Sequence, residues 1–490
     1  MVLSSAIALG IVIGSMLLFN AAISIAAFTG KWRTIFQAND SYISARNLFG
    51  PLKLGTSLFS STLGSWIIFA VPELSFLYGL LPLFLYALAV ILPIFYLRYI
   101  AAYIRDISGD EATSLGDFVL KRYGIPMHIV FLAVSSLAMF LSLAGELLFV
   151  GFAVQSISPS IPRNIAIIIL AALTWSYTAI GGLAASIISD FYQAVVVIII
   201  LIVGLIAAST TVNISSRALR EASTFSTEGL ISGAIMLISF FPAYLIDQGA
   251  WQRVWAGRDI KSVQSGLLIA SAFIAPVMIF FGFGGILAKS ASGTAEITDA
   301  SSAFFSLIIS LNTFLVACML VLMVTLVASS LDSSLNAISA IFWGVLKKFK
   351  VSFYWIIPIN AITIILAVLS AIYWESNVLI LFLIGNLFAA AIMPPILYGL
   401  TKKSTQFGAM CGFILGVLSI GIFGFIRTSS LIGALQAYTV STGLASIYTL
   451  LTFLIVTAVS FLSTVIVSFI HKKLAPLERI PSNNRSFYKP

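Results

Sequence analysis

The sequence predicts an all-α, polytopic membrane bundle of about thirteen transmembrane helices. Three observations carry this expectation. Of the 490 residues, 60% are hydrophobic and only 9% are charged, with a mean hydropathy of +1.10. That is too apolar to cover the surface of a soluble protein. Apolar runs of roughly 20 residues, the length that crosses a bilayer, recur from one end of the chain to the other. Lys and Arg gather in alternate loops, as the positive-inside rule requires.

The runs fall at about 3–28, 54–72, 76–98, 127–155, 163–180, 184–210, 229–251, 264–288, 312–340, 353–374, 376–400, 406–426 and 444–470. The first has no basic segment before it, and Lys31 comes only after it. It reads as a retained span with its N-terminus outside, not as a signal peptide. Residues 303–311 add a short outer helix before the ninth span. With an outer N-terminus, 21 Lys and Arg fall on inner segments and 5 on outer ones, accounting for all 26. An even number of spans would put the C-terminal cluster on the wrong side. The expected organisation is an extra helix in 1–30, a ten-helix core in 31–400, two further helices in 401–473 and a polar cytoplasmic tail in 474–490. The expected location is the plasma membrane. Asn213-Ile-Ser215 forms a glycosylation sequon in an outer loop, relevant only in a eukaryotic host.

Composition also excludes functions. The net charge of +9 is accounted for by the inner loops and gives no reason to expect nucleic-acid binding. Cys318 and Cys411 lie in apolar runs and support neither a disulfide framework nor a metal site. His128 and His471 are too few for a His-based metal centre. No catalytic His, Cys or paired-carboxylate arrangement is visible, so the chain is not expected to be an enzyme.

Chemistry is expected where polar groups interrupt the apolar runs. Glu146, Asp190, Asp247 and Asp332 lie within or at the edge of spans. A carboxylate at mid-membrane costs roughly 2.5–3.5 kcal/mol on insertion scales, so each needs a partner or a wet cavity. For Asp247 the expectation is an interfacial position, paired with nearby Arg253. The ninth span carries Ser329-Ser330-Leu331-Asp332-Ser333-Ser334-Leu335-Asn336. Ser329 and Ser333 share a helix face. Hydroxyls with a carboxylate suit a hard cation; small serines also suit helix packing, and the carboxylate favours the cation.

Two spans look broken: the second at Ser57–Trp66, rich in hydroxyls and Gly, and the seventh at Phe240-Phe241-Pro242-Ala243-Tyr244, where Pro frees a carbonyl. If the first span is an extra, spans two to six and seven to eleven form two five-helix halves. Each half then begins with a broken helix, and an odd number of spans inverts one half relative to the other.

Three segments resemble the sodium/solute symporter family. They are Tyr177-Thr-Ala-Ile-Gly-Gly-Leu-Ala-Ala with Ser189-Asp190-Phe-Tyr-Gln193, Asp247-Gln248-Gly-Ala-Trp-Gln252-Arg253 running to Asp259, and Ser329 to Asn336. The resemblance implies the leucine-transporter fold, with its 5+5 inverted repeat, and sodium-coupled import of a small organic solute. It implies a sodium site from the carbonyls of Ser60, Leu63 and Leu326 with the hydroxyls of Ser329 and Ser330. It implies a second sodium at Asp190 and Ser333, strengthened by Asp332. Sodium is the only metal expected, and no other cofactor. The implied substrate site lies between spans two, four, seven and eleven, with Ser61, Thr62, Ser65, Trp66, Glu146, Phe241, Tyr244 and Gln248 as candidates. Glu146 favours a nitrogenous solute, whereas the modest polarity of Ser61–Gly64 disfavours a sugar. Proton coupling on the same fold, or a passive channel or sensor derived from it, is the competing reading.

Overall fold

The computed structural model describes residues 4–28, 42–109, 112–211, 216–292, 300, 303–311, 313–346, 349–374, 378–440 and 442–474. Asn213 and the tail beyond Leu474 lie outside the described residues. The described chain is helical throughout, apart from one isolated bridge between Phe49 and Gly257. In order, the elements are α1 (Ser5–Phe28), α2 (Pro51–Thr62), α3 (Trp66–Tyr78), α4 (Leu80–Ser108), α5 (Leu115–Tyr123), α6 (Ile125–Ile157) and α7 (Arg163–Thr211). They continue with α8 (Ser216–Ser223), α9 (Thr227–Ile246), α10 (Gln248–Ala256), α11 (Ile260–Ser292), α12 (Ala303–Leu311) and α13 (Thr313–Leu346). The chain ends with α14 (Ile356–Tyr373), α15 (Val378–Tyr398), α16 (Gln406–Thr428), α17 (Leu431–Gln436) and α18 (Ile447–Leu474).

Among the described residues, ten helices are long and apolar enough to cross a membrane, or eleven when the bent pair α2–α3 is one span. The expectation of thirteen differs in two places. The N-terminal helix offers only a shorter apolar stretch, Ser5–Ala21. The runs 163–180 and 184–210 fall in one continuous element, α7, within which two helices meet at a kink between the runs. A straight helix of its 49 residues would rise roughly 74 Å, more than twice the ~30 Å hydrocarbon core. The run is interrupted where the two sequence runs part, at Gly182, whose φ of 53° and ψ of −146° are not helical. A Cβ at Gly182 would collide with the Tyr42 carbonyl, so glycine serves both the left-handed backbone and the close approach.

The second span breaks as expected. α2 ends at Thr62, α3 starts at Trp66, and the two are bent by 58° across Leu63, Gly64 and Ser65. The seventh span breaks elsewhere than expected. Pro242 sits inside the continuous helix α9, and the backbone leaves the helix five residues later at Asp247 (φ −63°, ψ 113°). Proline removes one N–H, which a helix can absorb as a local distortion. Asp247 instead starts a new helix, accepting a hydrogen bond from the Ala250 amide at 2.9 Å as the N-cap of α10.

Two packing features hold the site in place. The helix α13 is buried on all sides from Leu322 to Ile341, so it forms the centre of the bundle rather than its rim. The strand-like segment before α2 bonds to the end of α10, with the Leu48 amide donating to the Ala256 carbonyl and the Arg258 amide to the Phe49 carbonyl. This ties the start of one broken span to the end of the other. At the periphery, α16 presents Gly408, Gly412 and Gly416 to Ser468, Thr464 and Ser460 of α18. Small residues at four-residue spacing let two membrane helices approach closely.

Candidate ion and substrate site

The break in the second span exposes oxygen. Because α2 stops at Thr62, the carbonyls of Ser60 and Leu63 have no amide one turn ahead, and neither receives a hydrogen bond among the described residues. The amide and hydroxyl of Ser65 both donate to Glu146 Oε2 on α6, at 2.7 and 2.6 Å. Glu146 is 1% exposed and lies so close to the break that a Cβ on Gly64 would collide with its Oε1. A side chain at position 64 would have to push the Glu146 carboxylate off its Ser65 donors.

Asp190 on α7 joins the broken span to α13. Its backbone carbonyl accepts from Ser60 Oγ at 2.9 Å, and its Oδ1 accepts from Ser329 Oγ at 2.6 Å. Its Oδ2 accepts from Ser57 Oγ at 2.5 Å and pairs with Arg253 Nη2 at 2.8 Å. With its proton committed to Asp190, the Ser329 hydroxyl keeps its lone pairs for a cation. The expected ligands Ser60 and Ser329 are thus brought to one residue, and Ser330 faces the adjoining cavity. The Leu326 carbonyl lies within unbroken helix and has only its second lone pair to offer.

Arg253 changes the expectation for a second ion. Its guanidinium, 1% exposed, also donates to Ser57 Oγ at 2.6 Å, to the Gly249 carbonyl at 2.9 Å and to Ser333 Oγ at 2.7 Å. A permanent cation therefore lies between Asp190 and Ser333, the two groups expected to close on a second sodium. Asp332 accepts instead from Tyr177 Oη at 2.7 Å, Ser186 Oγ at 2.8 Å and Ser333 Oγ at 3.2 Å. Arg253 is also not the partner expected for Asp247, nor an exposed inner-loop charge. Its setting in Trp251-Gln252-Arg253-Val254-Trp255 was the sequence signal for burial, since the flanking Trp side chains are core residues.

A cavity of about 120 Å³ lies between the two breaks. Of the candidate substrate residues, Ser61, Thr62, Trp66, Glu146 and Tyr244 line it. Thr62 and Tyr244 hydroxyls meet across it at 3.3 Å. Three candidates lie elsewhere. Phe241 faces a separate apolar cavity with Leu92 and Phe461, because one residue turns the helix face by about 100°, and Phe240 takes the expected place. Gln248 is fully buried and accepts from the Leu115 amide at 3.2 Å, anchoring α5. Ser65 acts through Glu146. Asp247, singled out in the sequence as a carboxylate at a span edge but expected at the interface, lines the cavity instead. Sequence reasoning missed the lining residue Asn386, whose buried amide nitrogen has no hydrogen-bond partner among the described residues.

Solved structures of similar fold are transporters. A Na+-coupled sialic acid symporter in a substrate-bound outward-open state matches with a TM-score of 0.76 and 16% identity, over 94% of this chain and 98% of its own. A nucleobase-cation-symport-1 family transporter, closed with bromovinylhydantoin bound, gives 0.59 and 11% over 91% and 98%. MhsT in complex with L-phenylalanine gives 0.51 and 15% over 86% and 98%. These likenesses establish the leucine-transporter type of helical fold. In sequence, the chain is 24% identical to the spermidine transporter DUR31 of Candida albicans, over 80% of this chain and 76% of that protein. The sequence model of the sodium:solute symporter family matches residues 42–416, well over half of the chain. With its broken second span, its buried Asp190–Ser329 junction and its central cavity, this chain belongs to the sodium:solute symporter family and is a membrane transporter, not an enzyme.

Proposed function

We propose that the chain carries a small organic, nitrogen-bearing solute into the cell together with sodium, by alternating access. The observation that carries this reading is the position of the central cavity. It lies between two helix breaks, with the Glu146 carboxylate at one of them and the Ser60–Asp190–Ser329 junction beside it. Sodium would be held by the carbonyls of Ser60, Leu63 and Leu326 and the hydroxyls of Ser329 and Ser330. These are hard oxygen donors, suited to an alkali cation. They come from the broken span and from the central helix, so an ion between them ties the half-helix α2 to the bundle core. The solute then meets an ordered Ser61, Thr62 and Trp66, and release of the ion loosens both. One elementary charge crossing 100 mV supplies about 2.3 kcal/mol. The hydroxyl pair favours sodium over a proton, because a serine cannot take up a proton at neutral pH. The proposed setting is the plasma membrane, with the N-terminus outside and the C-terminus in the cytoplasm.

The relative's spermidine is itself nitrogenous, which supports the solute class drawn from Glu146. Purified protein in liposomes tests the reading. An inward sodium gradient drives uphill uptake, and sodium raises the unfolding temperature more than potassium or choline does, following RT ln(1 + [L]/Kd). Ser329→Ala removes one of the ligands and weakens sodium stabilisation roughly tenfold in concentration. Equal stabilisation by all three cations sinks the assigned ion site. Uptake that follows a pH gradient in sodium-free buffer shows proton coupling instead.

A further inference from the structure

We infer that Asp247 is a second cation anchor of the central cavity, so that the site selects a solute with two ammonium groups, one held by Glu146 and the other by Asp247. This rests on the central cavity being the substrate site. The two carboxylates come from the two helix breaks, Glu146 packed on the Gly64–Ser65 break and Asp247 forming the break between α9 and α10. Both line the same cavity, and no Lys or Arg is among the described residues that line it. Arg253, the nearest cation in sequence to Asp247, is committed to Asp190, Ser57, Ser333 and the Gly249 carbonyl.

Glu146 Oε2 is occupied by both donors of Ser65, and its Oε1 receives no hydrogen bond among the described residues. The Asp247 carboxylate is capped by the backbone amides of Ala250 and Gly249 and still lines the cavity. Neutral donors hold both carboxylates, which leaves their charge to a solute. The rings of Trp66, Phe240, Tyr244 and Phe382 line the same cavity, where they accept a hydrocarbon chain and favour ammonium groups at their faces. Two unpaired carboxylates in one small membrane cavity are costly. A diammonium solute offsets both, a monoammonium solute one, and a neutral solute neither.

The test uses the full chain in liposomes with an inward sodium gradient. The probes are 1,4-diaminobutane, n-butylamine of equal chain length and urea. The wild type is expected to favour diaminobutane over butylamine by roughly 10- to 100-fold in apparent affinity, the worth of one charge-assisted contact. D247N keeps the N-cap, since Asn caps as well as Asp, and removes the charge. It is expected to collapse that preference toward one, while E146Q weakens both amines. Melting temperature and elution profile verify that each variant is folded. Two results would overturn the inference while leaving sodium symport standing: an undiminished preference in D247N, or sodium-driven urea uptake that diaminobutane does not inhibit. Absence of sodium-driven uptake for any probe, with no sodium-specific stabilisation, overturns the transport reading and the inference together.

Discussion

Replacing Arg253 with Met is the most demanding test of the buried network. The guanidinium is the ion-pair partner of Asp190, a residue with no solvent exposure, and it reaches Ser57, Ser333 and the Gly249 carbonyl as well. Removing one partner of a buried pair costs about 3–5 kcal/mol, because the other charge stays behind without compensation. The guanidinium's three further hydrogen bonds, to Ser57, Ser333 and the Gly249 carbonyl, are lost with it, at about 1.5–3 kcal/mol each as bonds from a charged donor, although Ser57 keeps its bond to Asp190 at 2.5 Å. The double variant Asp190→Asn, Arg253→Met removes the stranded charge. It is expected to be more stable than Arg253→Met alone by about 2 kcal/mol or more. The comparison is made on purified wild type, both single variants and the double variant, unfolded in one mild detergent under identical conditions. A single variant within about 1 kcal/mol of wild type, or a double variant no more stable than Arg253→Met, refutes the argument that Arg253 is a fixed cation compensating Asp190.

Gly64→Ala forces a Cβ into Glu146 Oε1. The expected cost is about 1–3 kcal/mol, with Glu146→Asp in the same chain restoring part of the melting temperature by withdrawing the carboxylate. No recovery would show that the collision is not the cause. Gly182→Ala places a side chain at a φ of 53° against the Tyr42 carbonyl and is expected to cost about 1–3 kcal/mol or more, read as a lowered melting temperature and faster proteolysis. An unchanged melting temperature would mean that the interruption of α7 relaxes without cost.

The fold class was legible because membranes impose a simple rule. Each spanning segment must satisfy its backbone internally and present apolar side chains outward, so length and composition locate helices without knowledge of neighbours. The break at Leu63–Ser65 was visible for a similar reason, since Ser57–Gly64 is too small and polar for an uninterrupted span. The break at Asp247 was not. Pro242 gave a stronger local signal, yet the helix continued through it, and the decisive feature was an N-cap that only the folded backbone reveals.

The candidate site divides along the same line. Sequence by itself determined which polar residues lie inside apolar runs: Glu146, Asp190, Ser329, Ser333 and Asp332. A buried polar residue in a span is costly wherever it points, so its presence alone marks it. Tertiary structure decided what each one faces. Arg253, read as a loop charge, became the partner of Asp190, and the place expected for a second ion is filled by its guanidinium. Phe240 rather than Phe241 reached the cavity, because one step along a helix turns a side chain by about 100°. Pairing between helices more than 60 residues apart depends on packing that no local pattern encodes, and that packing assigns each buried charge its partner.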